Sequence, residues 1–196
     1  MALIAFEGGD ASGKSTQARI LAERLGALLT HEPGATPAGA ELRRVALDPA
    51  FDLVPRAEAL VMAADRAQHV AKVIAPALAA GRHVVTDRYL YSSLAYQGHG
   101  RQLPVEEVLA LSRFAGAPEA DLVVLLAVAP ATRATRLGHD LDRIEAGGVA
   151  LHERIDSGFR ILAAGDPERW LIVSALGGVE EVAARIWDGV APRLSR

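Results

Sequence analysis

The chain has 196 residues, of which 51% are hydrophobic and 23% charged, and its formal net charge is −3 at pH 7. These proportions are those of an ordinary globular protein, and the mild negative charge gives no electrostatic reason to expect a nucleic acid or a membrane as partner. Since there is no cysteine, no signal peptide and no apolar run long enough to span a bilayer, we expect a cytosolic protein without disulfides or thiolate metal sites.

The first predicted element is a short apolar strand at residues 3–6, which leads into residues 8–15 with the pattern G-x-x-x-x-G-K-[ST]. A predicted helix follows directly. In this context the glycines let backbone N–H groups converge on phosphate oxygens, and the helix N-terminus adds partial positive charge. Lys14 is suited to contact β- and γ-phosphates, and the Ser15 hydroxyl to ligate Mg²⁺. The sequence therefore predicts nucleotide binding by Gly8, Gly9, Asp10, Ala11, Ser12, Gly13, Lys14, Ser15 and Thr16.

Short apolar strands alternate with helical segments along the rest of the chain. Further strands are predicted at residues 27–30, 83–86, 121–128 and 170–173, with the run at 121–128 near the centre of the sheet. Helices are predicted at about residues 39–47, 55–80, 91–97, 105–115, 131–137, 149–163 and 179–190, with a kink or a new helix at Pro76 and a helix end at residues 98–100. This alternation predicts an α/β fold, a single domain over residues 1–196 with a five-stranded parallel sheet and helices on both faces.

Three further stretches carry a family resemblance. Residues 31–36 read H-E-P-G-A-T and are followed by Glu41 and Arg43, residues 87–101 read D-R-Y-L-Y-S-S-L-A-Y-Q-G-H-G-R, and residues 142–145 read D-R-I-E. With residues 8–15 they closely resemble the thymidylate kinases, a branch of the nucleoside monophosphate kinases. The resemblance covers essentially the whole chain. It implies a P-loop NTPase fold with a short lid at about residues 137–148, and Mg²⁺-dependent phosphoryl transfer from ATP to dTMP.

The resemblance also implies a role for individual residues. Arg88 is implied to grip the acceptor phosphate, Asp10 to lie near the acceptor's sugar and phosphate, and the lid arginines to close over the γ-phosphate. The implied catalytic residues are Lys14, Arg88, Asp10, Arg136 and Arg143. The implied metal ligands are Ser15 and Asp87. The implied acceptor site consists of Asp10, Glu32, Pro33, Arg43, Met62, Arg66, Arg88, Ser92, Ser93, Tyr96 and Gln97.

Two of these residues are implied to set specificity. Arg66 matches the arginine that donates to the 4-carbonyl of thymine, and Tyr96 matches the tyrosine beside the deoxyribose, where a ribose hydroxyl would be crowded out. Each assignment has a purely structural alternative. Arg88 would then form a surface salt bridge with Asp87, Arg66 would be solvated, and the tyrosines would only pack, which for Tyr91 is the favoured interpretation.

Several positions depart from the family pattern, namely His31, Ala35, Met62, Ala127 and Ser174. The lid is also short, since only residues 137–141 separate Arg136 from Asp142. Two other functions therefore stay open: a kinase of another nucleoside monophosphate or of a deoxynucleoside, and a catalytically silent nucleotide-binding module. The family resemblance further implies a homodimer packed through helices, with the 55–80 stretch as a candidate contact.

Overall fold

The computed structural model describes residues 1–129, 132 and 142–194. Five parallel strands form one sheet in the order β2-β3-β1-β4-β5. Their bounds are β1 (Leu3–Glu7), β2 (Leu28–His31), β3 (Val84–Asp87), β4 (Leu122–Ala127) and β5 (Trp170–Ser174). The prediction of a five-stranded parallel sheet is confirmed, and β4 lies beside the central strand β1, as its apolar sequence indicated.

Helices connect these strands. They are α1 (Lys14–Leu25), α2 (Pro37–Leu47), α3 (Pro55–His69), α4 (Ala75–Ala79), α5 (Leu90–Ser93), α6 (Val105–Phe114), α7 (Val149–Gly165) and α8 (Val179–Leu194). A π-helical turn, Val70–Ile74, joins α3 to α4, a second, Leu94–Gly100, continues α5, and a 3₁₀ turn, Glu145–Gly147, precedes α7. Except for Thr132, the helix predicted over 131–137 lies outside the described residues. Within the described ranges, no helix has the length and apolarity needed to cross a membrane.

Both faces of the sheet are covered by helices, as predicted. Side chains alternate between the two faces along a strand. Leu3 and Ala5 of β1 pack into a core formed with α3 to α7, which includes Phe159. Ile4 and Phe6 pack into a second core formed with α1 and α8. The sheet is therefore buried on both sides, and its carboxyl edge is where a ligand can approach.

The helix that begins at Leu90 ends at Gly100, so the predicted helix end at residues 98–100 is confirmed. From Leu94 to Gly100 it is a π-helical turn. A Cβ added to Gly100 would lie 2.8 Å from Ile155 Cγ1, and one added to Gly98 would lie 3.2 Å from Val105 Cγ2. These glycines serve the close approach of α7 and α6 to the turn, and this packing fixes the backbone that carries Tyr96.

Candidate active site

The phosphate loop, residues 8–13, connects the carboxyl end of β1 to α1. Gly13 has φ 90°, a left-handed conformation that glycine adopts without steric cost, and it caps the helix that begins at Lys14. Lys14 folds back over the loop, and its Nζ donates to the carbonyl oxygen of Gly9 at 2.7 Å. Burial of this ammonium lowers its pKa to about 8. An anionic phosphate at the loop would offset that cost of burial.

Ser15 and Asp87, the two residues predicted to bind Mg²⁺, lie in contact. The Ser15 hydroxyl donates to the Asp87 carboxylate Oδ2 across the gap between α1 and the end of β3. Mg²⁺ prefers oxygen ligands of this type. The donor set therefore fits the metal that the sequence predicts.

The Arg88 side chain is held by the phosphate loop and by α5. Its Nη2 contacts the Asp10 carboxylate, and its Nη1 donates to the Gly8 carbonyl oxygen at 3.2 Å and to Ser92 Oγ at 3.1 Å. The alternative interpretation, a surface salt bridge with Asp87, is wrong, because the partner is Asp10 and the Arg88 side chain is only 17% exposed.

Asp10 joins Arg88 to Tyr96. The Tyr96 hydroxyl donates to Asp10 Oδ2 at 3.1 Å, and the Arg88 guanidinium lies 5.0 Å from the centre of the Tyr96 ring. Burial acts to raise the pKa of Asp10, but the charges of Arg88 and Lys14 outweigh it and lower the pKa to about 2. Asp10 is therefore ionised at neutral pH.

A cavity of about 160 Å³, the central cavity, brings together every residue predicted for the acceptor site. These lining residues are Asp10, Glu32, Pro33, Arg43, Met62, Arg66, Arg88, Ser92, Ser93, Tyr96 and Gln97. The sequence did not assign the remaining ones, which are Leu47, Asp65, Tyr89, Asp142, Ile144 and Glu145.

A larger cavity, the phosphate crevice, adjoins the central cavity. Lys14, Ser15 and Asp87 line it, and it shares Asp10 and Arg88 with the central cavity. A molecule in the central cavity would thus lie next to one bound at the phosphate loop. This adjacency is what direct group transfer between two ligands requires.

Arg66 is a buried guanidinium on the wall of the central cavity, so the solvated alternative for this residue is wrong. Its Nε and Nη2 lie 2.9 and 2.8 Å from Glu32 Oε2, its Nη1 donates to Ser112 Oγ at 3.1 Å, and its Nη2 donates to Ser93 Oγ at 3.1 Å. Among the described residues, three of its five N–H hydrogens are in hydrogen bonds, and Nη2 also lies in the ion pair with Glu32. Nη1 makes one of these hydrogen bonds, so its remaining N–H is suited to donate to a ligand carbonyl.

Two buried polar atoms of the central cavity have no hydrogen-bond partner within the described part of the chain. They are Asp65 Oδ2 and the Tyr89 hydroxyl. The other oxygen of Asp65 accepts the N–H of Gly34 at 3.0 Å. Burial and the nearby Glu32 charge raise the pKa of Asp65 to about 6. Unsatisfied polar groups in a cavity wall are suited to contact a polar ligand.

Of the two lid arginines, Arg136 lies outside the described residues and Arg143 is not directed at the phosphate loop. Arg143 Nη2 donates to Glu58 Oε2 at 2.8 Å and to the Ala46 carbonyl oxygen at 2.7 Å. It lines neither of the two cavities. A buried carboxylate thus holds the guanidinium at the end of α2, and the action of Arg143 on the γ-phosphate stays a prediction.

Two fully buried carboxylates, Glu7 and Glu58, were not assigned a function from the sequence. Glu58 accepts from Gln97 Nε2 at 2.8 Å as well as from Arg143 and Arg101, and so it orients an amide of the central cavity. Glu7 is the last residue of β1 and lies beneath Arg88 and Ser92. A charged residue in an otherwise apolar strand, directly before the phosphate loop, is a signal that could have identified Glu7.

A phosphate loop between a buried strand and a helix, with an arginine-lined cavity beside it at the carboxyl edge of a parallel sheet, defines a P-loop kinase. Residues 6–186 match the family model described as thymidylate kinase. The chain therefore belongs to the thymidylate kinase family. It is a nucleoside monophosphate kinase, a phosphotransferase.

Individual relatives agree with this assignment. The thymidylate kinase of Synechococcus sp. strain JA-2-3B'a(2-13) is 46% identical over 199 residues, which span 97% of this chain and 95% of that protein. The thymidylate kinase of Leifsonia xyli subsp. xyli is 47% identical over 192 residues, 93% and 91% of the two chains. The crystal structure of thymidylate kinase from Ehrlichia chaffeensis superposes with a TM-score of 0.81 at 26% identity, covering 97% of this chain and 98% of that one.

Proposed function

We propose that this protein transfers the γ-phosphoryl group of ATP to dTMP, giving dTDP and ADP. The observation that carries the proposal is the adjacency of the central cavity to the phosphate crevice, with Asp10 and Arg88 in the walls of both. In this proposal residues 1–196 form one kinase domain that works in the cytoplasm, with a lid at about residues 137–148.

Enzymes catalyse phosphoryl transfer mostly by positioning the reactants and neutralising their charge. The phosphate loop and Lys14 would hold the β- and γ-phosphates of ATP, and Arg88 would hold the phosphate of dTMP through its planar guanidinium. Mg²⁺, held by Ser15 and Asp87, would neutralise charge on the phosphates. Asp10 shares Arg88 with the incoming phosphate, so it restrains the guanidinium without occupying all of its donors.

Base and sugar selection would come from the far end of the central cavity. The remaining N–H of Arg66 would donate to the 4-carbonyl of thymine, whereas the 4-amino group of cytosine would bring a donor against a donor. Tyr96, fixed by its hydrogen bond to Asp10, would lie where a ribose 2′-hydroxyl needs room. Met62, partly buried in the same wall, would pack against the base.

We propose that Arg136 supplies the lid charge at the γ-phosphate. Arg143 instead anchors the segment that begins at Asp142, because its side chain and its backbone N–H both bind the end of α2. This anchor keeps Ile144 and Glu145 in the wall of the central cavity.

An acceptor panel tests the proposal. ADP release is measured with ATP and Mg²⁺ while dTMP, dUMP, UMP, dCMP, dGMP and thymidine are offered one at a time. We expect a strong preference for dTMP with UMP a poor acceptor. A preference for another monophosphate or for thymidine would replace the substrate assignment, and ATP binding without acceptor-dependent turnover would favour a silent nucleotide-binding module.

We also propose a homodimer packed through α3 and α6. Large apolar side chains on or next to these helices are exposed, namely Val54 at 64%, Leu60 at 56% and Phe114 at 93%. Leu60→Asp should shift the sedimentation coefficient to that of a monomer, because it places a charge in the contact. Ile161→Asp is the matched control, since Ile161 on α7 is also 56% exposed. A monomeric wild-type protein would refute the dimer.

A further inference from the structure

Glu7 is a carboxylate with no solvent exposure at the carboxyl end of β1. Side chains alternate along the strand, so Glu7 follows Leu3 and Ala5 on the face that packs against α5. No family motif quoted above includes it, and it lines neither cavity. Burying a carboxylate carries a desolvation cost, and other interactions of the carboxylate must offset this cost.

Three hydrogen bonds converge on the Glu7 carboxylate. Oε1 accepts the backbone N–H of Tyr89 at 3.0 Å and that of Ser92 at 3.1 Å, and Oε2 accepts the Ser92 hydroxyl at 2.5 Å. The donors lie in a short segment that runs from the turn after β3, at Tyr89, into the first turn of α5, at Ser92. Burial raises the pKa of Glu7 to about 7, although these hydrogen bonds and the Arg88 charge act in the opposite direction.

The turn that Glu7 binds contains an unusual backbone conformation at Arg88. Its φ is 68°, in the left-handed region that a residue with a Cβ seldom adopts. Such conformations persist where the surroundings over-determine them. Here the N–H of Arg88 donates to the Phe6 carbonyl oxygen at 2.9 Å, and the carbonyl of Arg88 accepts the Thr86 hydroxyl at 2.7 Å. The next N–H, that of Tyr89, donates to Glu7 Oε1 at 3.0 Å.

Glu7 also orients the Arg88 side chain through Ser92. Because the Ser92 hydroxyl hydrogen points to Glu7, the lone pairs of Ser92 Oγ are available to accept from Arg88 Nη1 at 3.1 Å. With Asp10 on Nη2, this fixes the plane of the guanidinium. Glu7 therefore controls both the backbone and the side chain of Arg88.

We propose that Glu7 is the positioning residue for Arg88, aligning the guanidinium for the phosphate of the acceptor without touching any substrate. The inference rests on the proposed function insofar as Arg88 binds the acceptor phosphate. It adds a residue that acts on acceptor binding and leaves ATP binding at the phosphate loop unchanged.

Glu7→Gln separates positioning from folding. The amide oxygen retains both backbone hydrogen bonds, but the amide NH₂ donates to Ser92 Oγ and turns the serine hydrogen towards Arg88. We expect KM for dTMP to rise by about tenfold or more, the usual cost of a disturbed hydrogen bond to a charged group. KM for ATP should change less than about twofold, and the unfolding temperature at pH 8 should not fall, because a buried charge has been removed.

The control is Asp121→Asn, at the other end of β1. Asp121 Oδ2 accepts the N–H of Leu3 at 2.7 Å, so this variant also neutralises a carboxylate that binds a strand N–H, far from Arg88 in the fold. Its KM values should equal those of the wild type. An unchanged KM for dTMP in Glu7→Gln, or equal changes in both KM values, would overturn the proposal.

Failure of the proposed function would be recognised separately. If the wild type prefers another acceptor, the KM comparison is made with that acceptor. If the wild type turns over none, the crystal structure of Glu7→Gln decides, since the proposal predicts that Arg88 loses its contact with Ser92, and an unmoved guanidinium overturns it. If Glu7→Gln does not fold, Ser92→Ala removes the same link, and an unchanged Arg88 position in that variant overturns the proposal equally.

Discussion

The charged side chains at this site are buried and have ion-pair or hydrogen-bond partners. The effect of each substitution on activity or stability therefore depends on which partner loses its contact. Arg88 binds Asp10, Ser92 and the Gly8 carbonyl oxygen in the free protein. These contacts hold the side chain in place before a ligand arrives. Such preorganisation is the main way in which an enzyme stabilises charge that moves during a reaction.

Arg88→Ala should lower kcat/KM for dTMP by on the order of a hundredfold or more, the usual cost of losing a preorganised donor to a reacting phosphate. ATP binding, measured by calorimetry, should be preserved, because Lys14 and the phosphate loop remain. Arg88→Lys tests the geometry, since lysine keeps the charge but not the planar fork. Wild-type kcat/KM in Arg88→Ala would show that another residue binds the acceptor phosphate.

Arg66→Ala should destabilise the protein strongly. Both Arg66 and Glu32 have side chains that are 3% exposed, and removal of the arginine leaves a buried carboxylate without its cationic partner. The expected loss in the free energy of unfolding is about 3–5 kcal/mol, measured by urea denaturation.

Arg56→Ala is the matched control for that experiment, because the Arg56–Glu107 salt bridge is 2.6 Å long but lies between side chains that are 68% and 52% exposed. Its loss should cost no more than about 1 kcal/mol. Equal effects of the two substitutions would mean that burial does not determine the strength of the Arg66 pair.

At the scale of elements, the site depends on how closely α7 approaches the π-helical turn Leu94–Gly100. This turn carries Tyr96 and Gln97, and a π-helical turn of this kind shifts the direction of the side chains that follow it. Hydrogen-bond registers of this type leave no periodic signal in a sequence. For this reason the helix and its end at residues 98–100 were predicted, but its π-helical register was not.

Gly100→Ala should disturb this contact. The new Cβ would lie 2.8 Å from Ile155 Cγ1, 3.2 Å from Leu151 Cδ1 and 3.3 Å from the Ala95 carbonyl oxygen. Overpacking of this kind costs about 1–3 kcal/mol in the free energy of unfolding, and we expect KM for dTMP to rise with it. Gly165→Ala at the end of α7 is the control, because nothing lies within 4 Å of its added Cβ. If both variants have the free energy of unfolding of the wild type, the packing of α7 against the turn Leu94–Gly100 leaves room for an added methyl group.

Predictability from sequence differed between local and non-local features. The strands and the phosphate loop follow from periodicity and from a motif with fixed spacing, and the family resemblance implied most residues that line the central cavity, so these features could be named before the structure. The partner of Arg143 could not, because Glu58 lies 85 residues away in the chain. The roles of Glu7 and Asp65 were missed for the same reason, since their partners are brought together only by the fold.

At the scale of the whole molecule, the raised pKa of Glu7 couples stability to pH. Its folded-state pKa is about 7 against an ordinary value of 4.5, so the folded protein binds more protons than the unfolded chain between these values. The contribution of protonated Glu7 to the free energy of unfolding is therefore fully present below about pH 4.5. It is lost as pH rises to about 7, an expected loss of roughly 3 kcal/mol. Asp65, raised to about 6, acts with the same sign, whereas His31, whose pKa is lowered, acts with the opposite sign.

Urea denaturation of the wild type and of Glu7→Gln at several pH values between 5 and 7, below the pKa of about 8 of the neighbouring Lys14, isolates the contribution of Glu7. The free energy of unfolding of the wild type should fall relative to the variant as pH rises, because glutamine does not titrate and the groups that do not interact with Glu7 cancel in the difference. Arg88, which lies close to Glu7, stays charged throughout this range. A difference independent of pH would mean that Glu7 does not titrate in this range.

The most direct test of the account is a crystal structure of the protein with dTMP. We expect the phosphate of dTMP to lie against Arg88 and Asp10 at the border with the phosphate crevice, and the 4-carbonyl of thymine to lie at Nη1 of Arg66. A nucleotide bound with its base away from Arg66, or with its phosphate beyond the reach of Arg88, would contradict the assignment of the central cavity as the acceptor site.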